Sequence, residues 1–234
     1  MDGLTLTMVF GAAGVALLHT AIGPDHYLPF VMLGRARRWS LRKTLAITAL
    51  CGLGHVLSSL LLGGIGIAAG VAIGAIEEVE GSRGELAAWA LFWVGIAYAL
   101  WGVRHARRRR IGLEIHRHGE VVHLHGDGDH GHGHVHARAG EGTTFWALFI
   151  VFVLGPCEPL IPLFALPASQ GDWGAALVAG LVFGVVTIAA MLAITAAMLA
   201  GAARLPLGPL ERWSHALAGG VIASSAGAVL FLGL

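Results

Sequence analysis

Apolar residues run along this chain in blocks long enough to cross a bilayer, near residues 4–32, 44–74, 86–103, 143–166, 173–203 and 208–233. The pattern predicts six membrane helices. The second and fifth blocks exceed what a bilayer needs, so tilt, kinks or turns outside the membrane are expected there. Two of the blocks carry an interruption in matching places: Gly23-Pro24-Asp25-His26 in the first and Gly155-Pro156-Cys157-Glu158 in the fourth. Gly and Pro together remove a helical hydrogen bond and free carbonyls, which a bilayer tolerates only where protein or a water-filled cavity surrounds them. At each break the next two residues are titratable or metal-liganding, a chemistry that lipid penalises and a buried ion site uses.

Three spans on each side of a central polar segment place the halves in opposite orientations. The expected organisation is therefore an all-α, polytopic membrane protein of two inverted three-helix repeats, 1–103 and 143–234, joined by an Arg/His-rich loop, 104–142. Pro29 against Pro162, and Gly54-His55-Val56 against Gly184-Val185-Val186, extend the echo between halves. Gly63, Gly66, Gly70, Gly219 and Gly220 are read as close helix packing.

Composition agrees with a membrane chain. Of 234 residues 56% are hydrophobic and 12% charged, with a mean hydropathy of +0.75, which excludes an ordinary soluble domain. The net charge of +1 matters less than its placement. Arg35, Arg37, Arg38, Arg42 and Lys43 lie between the first two spans, and Arg104 with Arg107 to Arg110 after the third. By the positive-inside rule both segments are cytoplasmic, which puts both termini outside an inner cell membrane. Glu77, Glu78, Glu80 and Glu85, with Arg83, are assigned to a loop between spans two and three on the outer side. The first apolar stretch lacks a basic leader and a cleavage site, and is expected to be retained as a span. The only cysteines, Cys51 and Cys157, sit in apolar stretches and make no secreted disulfide framework. Membrane lipid is the surrounding partner, and no nucleic-acid partner is expected.

Inside the spans the ionisable residues are His19, Asp25, His26, His55, Glu158 and His215, with Cys157 as a soft donor. His19 and His26 are seven apart, two turns along one helix face, and the Pro24 break can fold Asp25 toward them. Ser58 or Ser59 is placed to hold the tautomer of His55. Imidazoles, carboxylates and a thiol together suit a transition metal better than magnesium or calcium. Cys51 is read as packing. Between Ile115 and Arg138 stand His116, His118, His123, His125, His130, His132, His134 and His136, interleaved with glycine, Asp127 and Asp129. This reads as a flexible, low-complexity segment that gathers divalent metal and serves as a buffer or sensor.

The run His19-Thr20-Ala21-Ile22-Gly23-Pro24-Asp25-His26 resembles the first-motif signature of the nickel/cobalt transporter superfamily, and Leu53-Gly54-His55 with Ser58 resembles its second. The six-span layout with a histidine-rich cytoplasmic loop is similar to nickel/cobalt efflux proteins and to small proteins associated with urease maturation. Two departures are present: five residues separate His19 from Asp25 where uptake permeases typically have four, and Gly155-Pro156-Cys157-Glu158 is not their usual acidic later motif. The resemblance implies transport of nickel or cobalt, with zinc as competitor, and no permanently bound cofactor. The ligands it implies are His19, Asp25, His26 and His55; Cys157 and Glu158 at the second break and the intramembrane His215 complete the candidate set. A homo-oligomer or a cytoplasmic metallochaperone are the candidate partners, and no enzymatic activity is expected.

The Pro156-Cys157 break also resembles those of membrane thiol-disulfide electron conduits, fold relatives built from inverted three-span halves. A dithiol shuttle needs two thiols that can exchange, and the counterpart of Cys157 in the first half is Asp25. An anion exporter of the sulfite or taurine type would want a cation in its pathway, and the predicted span centres hold no Arg or Lys. An intramembrane metal hydrolase lacks its His-Glu-x-x-His pair. A non-transporting metal sensor or storage protein is the remaining alternative.

Overall fold

A computed structural model describes residues 3–109, 114–118, 121–125, 139–204 and 208–233. The chain is helical: α1 (Gly3–Ile22), a 3₁₀ turn (Pro24–His26), α2 (Leu28–Ala36), α3 (Leu41–Ala68), α4 (Ile73–Arg109), α5 (Ala139–Leu154), α6 (Leu160–Ser169), α7 (Trp173–Ala203), a second 3₁₀ turn (Gly208–Trp213) and α8 (Ser214–Leu232). Among the described residues four helices are long and apolar enough to cross a membrane: α3, α4, α7, and α8 with part of its preceding turn. The predicted first and fourth spans are instead each divided at their Gly-Pro pair, into α1 and α2 and into α5 and α6. Proline explains both divisions, since it can neither donate to the preceding turn nor fit against its carbonyl.

Another expectation is corrected at the start of α4. The segment assigned to an outer loop, Glu77 to Glu85, is helical throughout, and Glu80 is fully buried. An acid and a base three residues apart pair on one helix face, and Glu80 and Arg83 do so, which lets the charged stretch continue as helix. Arg83 is therefore a half-buried cation within a helix of spanning length, where the predicted span centres held none. The central loop also departs from a structureless reading: Glu114–His118 and Val121–His125 form a two-stranded antiparallel hairpin with His116 opposite His123. In the second strand Val122 and Leu124 alternate with His123 and His125 in the period of a strand. His130, His132, His134 and His136 lie outside the described residues.

α1 lies on α7, α5 on α3 and α2 on α8, while α6 lies mainly on α7 and α3 and touches α4 less; α3 meets α7, and α4 meets α8 most extensively. Glycine permits the α4–α8 contact, because a Cβ at Gly102 would collide with the backbone of His215 and Ala216, and one at Gly219 with Ala99. In lipid, where apolar burial between helices gains little, such close approach is the main source of adhesion. Gly66 packs tightly against Ile76, whereas Gly70 turns the chain with φ +74° and Gly220 faces open space, so the glycine reading holds for some positions only. At one end Arg38 pairs with Glu211 at 2.7 Å, and the Arg35 guanidinium donates to the Ala202 carbonyl. These contacts place the α2–α3 connection and the α7–α8 turn at the same end of the bundle.

Candidate metal centre

The Pro156 break supplies the chemistry of the second half. In a continuous helix the Phe152 carbonyl would accept the N–H of residue 156, which proline lacks. Here it accepts from Nδ1 of His55 at 3.2 Å. A carbonyl only accepts, so His55 carries its proton on Nδ1 and presents the Nε2 lone pair. That lone pair faces Sγ of Cys157 at 2.9 Å. The tautomer is thus held by a carbonyl of α5; Ser58, one of the two expected holders, instead donates to the His55 backbone carbonyl at 2.9 Å. Gly155 keeps this approach open, since a Cβ there would stand 3.3 Å from both His55 Nδ1 and the Phe152 oxygen.

At the first break the anchor is local. Nδ1 of His26 lies 3.2 Å from the Gly23 carbonyl and 3.1 Å from Oδ1 of Asp25, two acceptors, so Nδ1 carries a proton. Gly23 is required by this folding-back, because a Cβ there would sit 2.6 Å from His26 Nδ1 and 3.0 Å from the Asp25 oxygen. The turn brings His26 edge-on to His19, with ring centroids 4.6 Å apart, and edge-on to His55 at 5.3 Å. Thr20, on the last turn of α1, satisfies its hydroxyl on the Ala16 carbonyl.

Three helical segments therefore converge. One ligand atom each from His19, His55 and Cys157 lies within 4.8 Å of the others, with His26 beside them and Asp25 behind His26. The buried Nε2 atoms of His19 and His26 have no hydrogen-bond partner among the described residues. An orphaned buried nitrogen costs roughly 1–3 kcal/mol, a cost that a bound cation would remove. Nitrogen and sulfur donors of this kind match borderline and soft divalent metals. A cavity of about 620 Å³ reaches His19, Asp25, His26 and His55 and is also lined by Glu85 and Glu158.

Not every expected ligand joins the group. Glu158 is exposed on the far side of Cys157 in sequence; it lines the cavity without entering the cluster. His215 is placed apart, with Nδ1 2.7 Å from the Tyr98 hydroxyl and its ring against Trp101 and His105. It sits at the start of α8, whereas Ala226, Val229 and Leu230 near the other end line the cavity. Eleven residues of helix between His215 and Ala226 correspond to about 16 Å. Sequence reasoning missed Ser59 as a partner of the break, and Glu80 and Arg83 altogether; the i, i+3 spacing of the last two was the available signal. Comparison with known protein families, with curated proteins and with solved structures finds no match.

Proposed function

We propose that this chain is a membrane permease for a divalent transition metal, nickel or cobalt before zinc, working by alternating access. The observation that carries the reading is the convergence of His19, His55 and Cys157 from three helical segments to within 4.8 Å, next to a His26 whose Nε2 is unpartnered. Each imidazole offers a lone pair, the thiol gives up its proton on binding, and the Asp25 carboxylate offsets further charge from behind His26. Metal and protons compete for these atoms, which couples transport to a proton gradient. The cavity gives the ion a route from one side, with Glu85 and Glu158 drawing cations into it.

The two broken helices count as crossings in this reading, giving six spans in an inner cell membrane with both termini outside. The paired contacts support two inverted repeats, since exchanging α1 to α4 with α5 to α8 maps α1–α7 onto α5–α3 and α2–α8 onto α6–α4. Rocking of one half on the other about the Pro24 and Pro156 breaks exposes the site alternately. The histidine-rich loop gathers or senses metal on the cytoplasmic side. The electron-conduit alternative is poorly supported: both cysteines are free thiols, and Cys51 packs with Phe30, Phe152 and Met191 in a core cluster separate from that of Cys157.

Flux of radiolabelled nickel, cobalt and zinc in reconstituted vesicles tests the proposal. The wild type is expected to move at least one of them, and His26→Ala and Cys157→Ser to abolish or strongly reduce that flux. Unaltered flux in His26→Ala would overturn the site. Binding without flux would favour a sensor or store, and thiol-dependent transfer of reducing equivalents without metal flux would favour the conduit.

A further inference from the structure

A fully buried carboxylate in a helix of spanning length is costly unless it is paired and hydrogen-bonded. Glu80 is such a group, and its bonds lead to the Pro156 break. Oε2 accepts the Ser59 hydroxyl at 2.9 Å, and Oε1 pairs with Arg83. Ser59 Oγ accepts the backbone N–H of Cys157 at 3.2 Å. The Arg83 Nη2 donates to the Val153 carbonyl at 2.7 Å and to the Ser58 hydroxyl at 3.0 Å. In an unbroken helix the Cys157 N–H and the Val153 carbonyl would have bonded each other. Here they are drawn apart, and each is satisfied by one end of the same network. The approach of α4 is close as well: a Cβ at Gly84 would stand 2.5 Å from Cγ of Pro156.

We infer that Ser59, Glu80 and Arg83 are positioning residues for the thiol donor. They form a clamp from α3 and α4 that holds the broken helix open, so that Cys157 Sγ stays beside Nε2 of His55. None of the three supplies an atom to the cluster of His19, His55 and Cys157. The clamp fixes whether sulfur belongs to the donor set, and with it the preference for thiophilic metals over those that favour oxygen. Arginine suits the task because its planar fork reaches a carboxylate, a hydroxyl and a carbonyl at once, which a lysine ammonium does not. The metal half of this inference rests on the proposed permease function; the placement of the thiol does not.

The test uses the full chain in detergent, with two readouts. The first is the rate at which N-ethylmaleimide alkylates Cys157 in a Cys51→Ala background. The wild-type thiol, fully buried, reacts slowly; Glu80→Gln and the milder Ser59→Ala are expected to raise the rate at least about tenfold. Cys51, followed in a Cys157→Ser background, keeps its rate in the same variants. An unchanged Cys157 rate in both variants, or equal acceleration of both thiols, would overturn the inference, the latter because it reports general loosening. The second readout is the cobalt–thiolate charge-transfer absorption on adding Co²⁺, expected in the wild type and reduced per bound cobalt in Glu80→Gln and Ser59→Ala. If the wild type shows no such band while the alkylation pattern holds, the metal reading fails and the clamp stands. If the band persists at full strength in both variants, the clamp does not govern the ligand set.

Discussion

At the residue scale, the site depends on lone pairs whose direction is set by backbone acceptors. His26 and His55 each give the Nδ1 proton to a carbonyl of their own or a neighbouring helix break, and His55 turns Nε2 to Cys157. Gly23 makes this possible in the first half, so Gly23→Ala should displace His26 and Asp25, weakening cobalt binding about tenfold, measured by titration in detergent. Protons compete with metal for the same nitrogen and sulfur atoms, so apparent cobalt affinity should fall as pH is lowered, and each binding event should release protons detectable in weak buffer. The residue types were legible: His19, Asp25, His26, His55 and Cys157 stand out as polar groups in apolar blocks. Glu80 was not, because a run of acids and an arginine reads as a solvated turn until a neighbouring helix supplies Ser59.

At the scale of elements, proline is what converts a span into a site. Each Gly-Pro pair ends one helix and starts another, and at the second the stranded carbonyls of Phe152 and Val153 become anchors for side chains from elsewhere. Pro156→Ala should let α5 continue, return an N–H to the Phe152 carbonyl and take that acceptor from His55. The expected result is a loss of cobalt affinity of about 10- to 100-fold, with helical circular dichroism maintained or raised. Packing of α4 on α8 rests on glycine, so Gly219→Leu, which drives a side chain into the Ala99 backbone, should destabilise the fold by about 1–3 kcal/mol or more, read as a lowered unfolding temperature in detergent. The long apolar blocks predicted α3, α7 and α8 well, since hydropathy reports length and position directly. They did not predict that α4 runs through the acidic stretch, because pairing of Glu80 with Arg83 removes the charge that hydropathy counts.

At the scale of the whole molecule, the proposed roles of loop and bundle predict that the two can be separated. Removal of residues 115–138 should lower the number of metal ions bound per chain while leaving the cobalt–thiolate absorption of the central site in place; loss of that absorption would tie the two together. By itself the sequence determined that the chain belongs in a membrane, that its helices are interrupted at two Gly-Pro pairs, and that nitrogen, oxygen and sulfur donors are confined to a few positions. Those conclusions follow from composition and local backbone chemistry, which act over a few residues. Which donors meet was decided only by the tertiary structure: it joined His19, His55 and Cys157, left Glu158 at the cavity wall, sent His215 to Tyr98, and brought Glu80 and Arg83 to the break. The reason is physical. His55 and Cys157 stand 102 positions apart and Arg83 reaches the Val153 carbonyl across 70, so only the packing of helices against one another fixes which groups come within bonding distance.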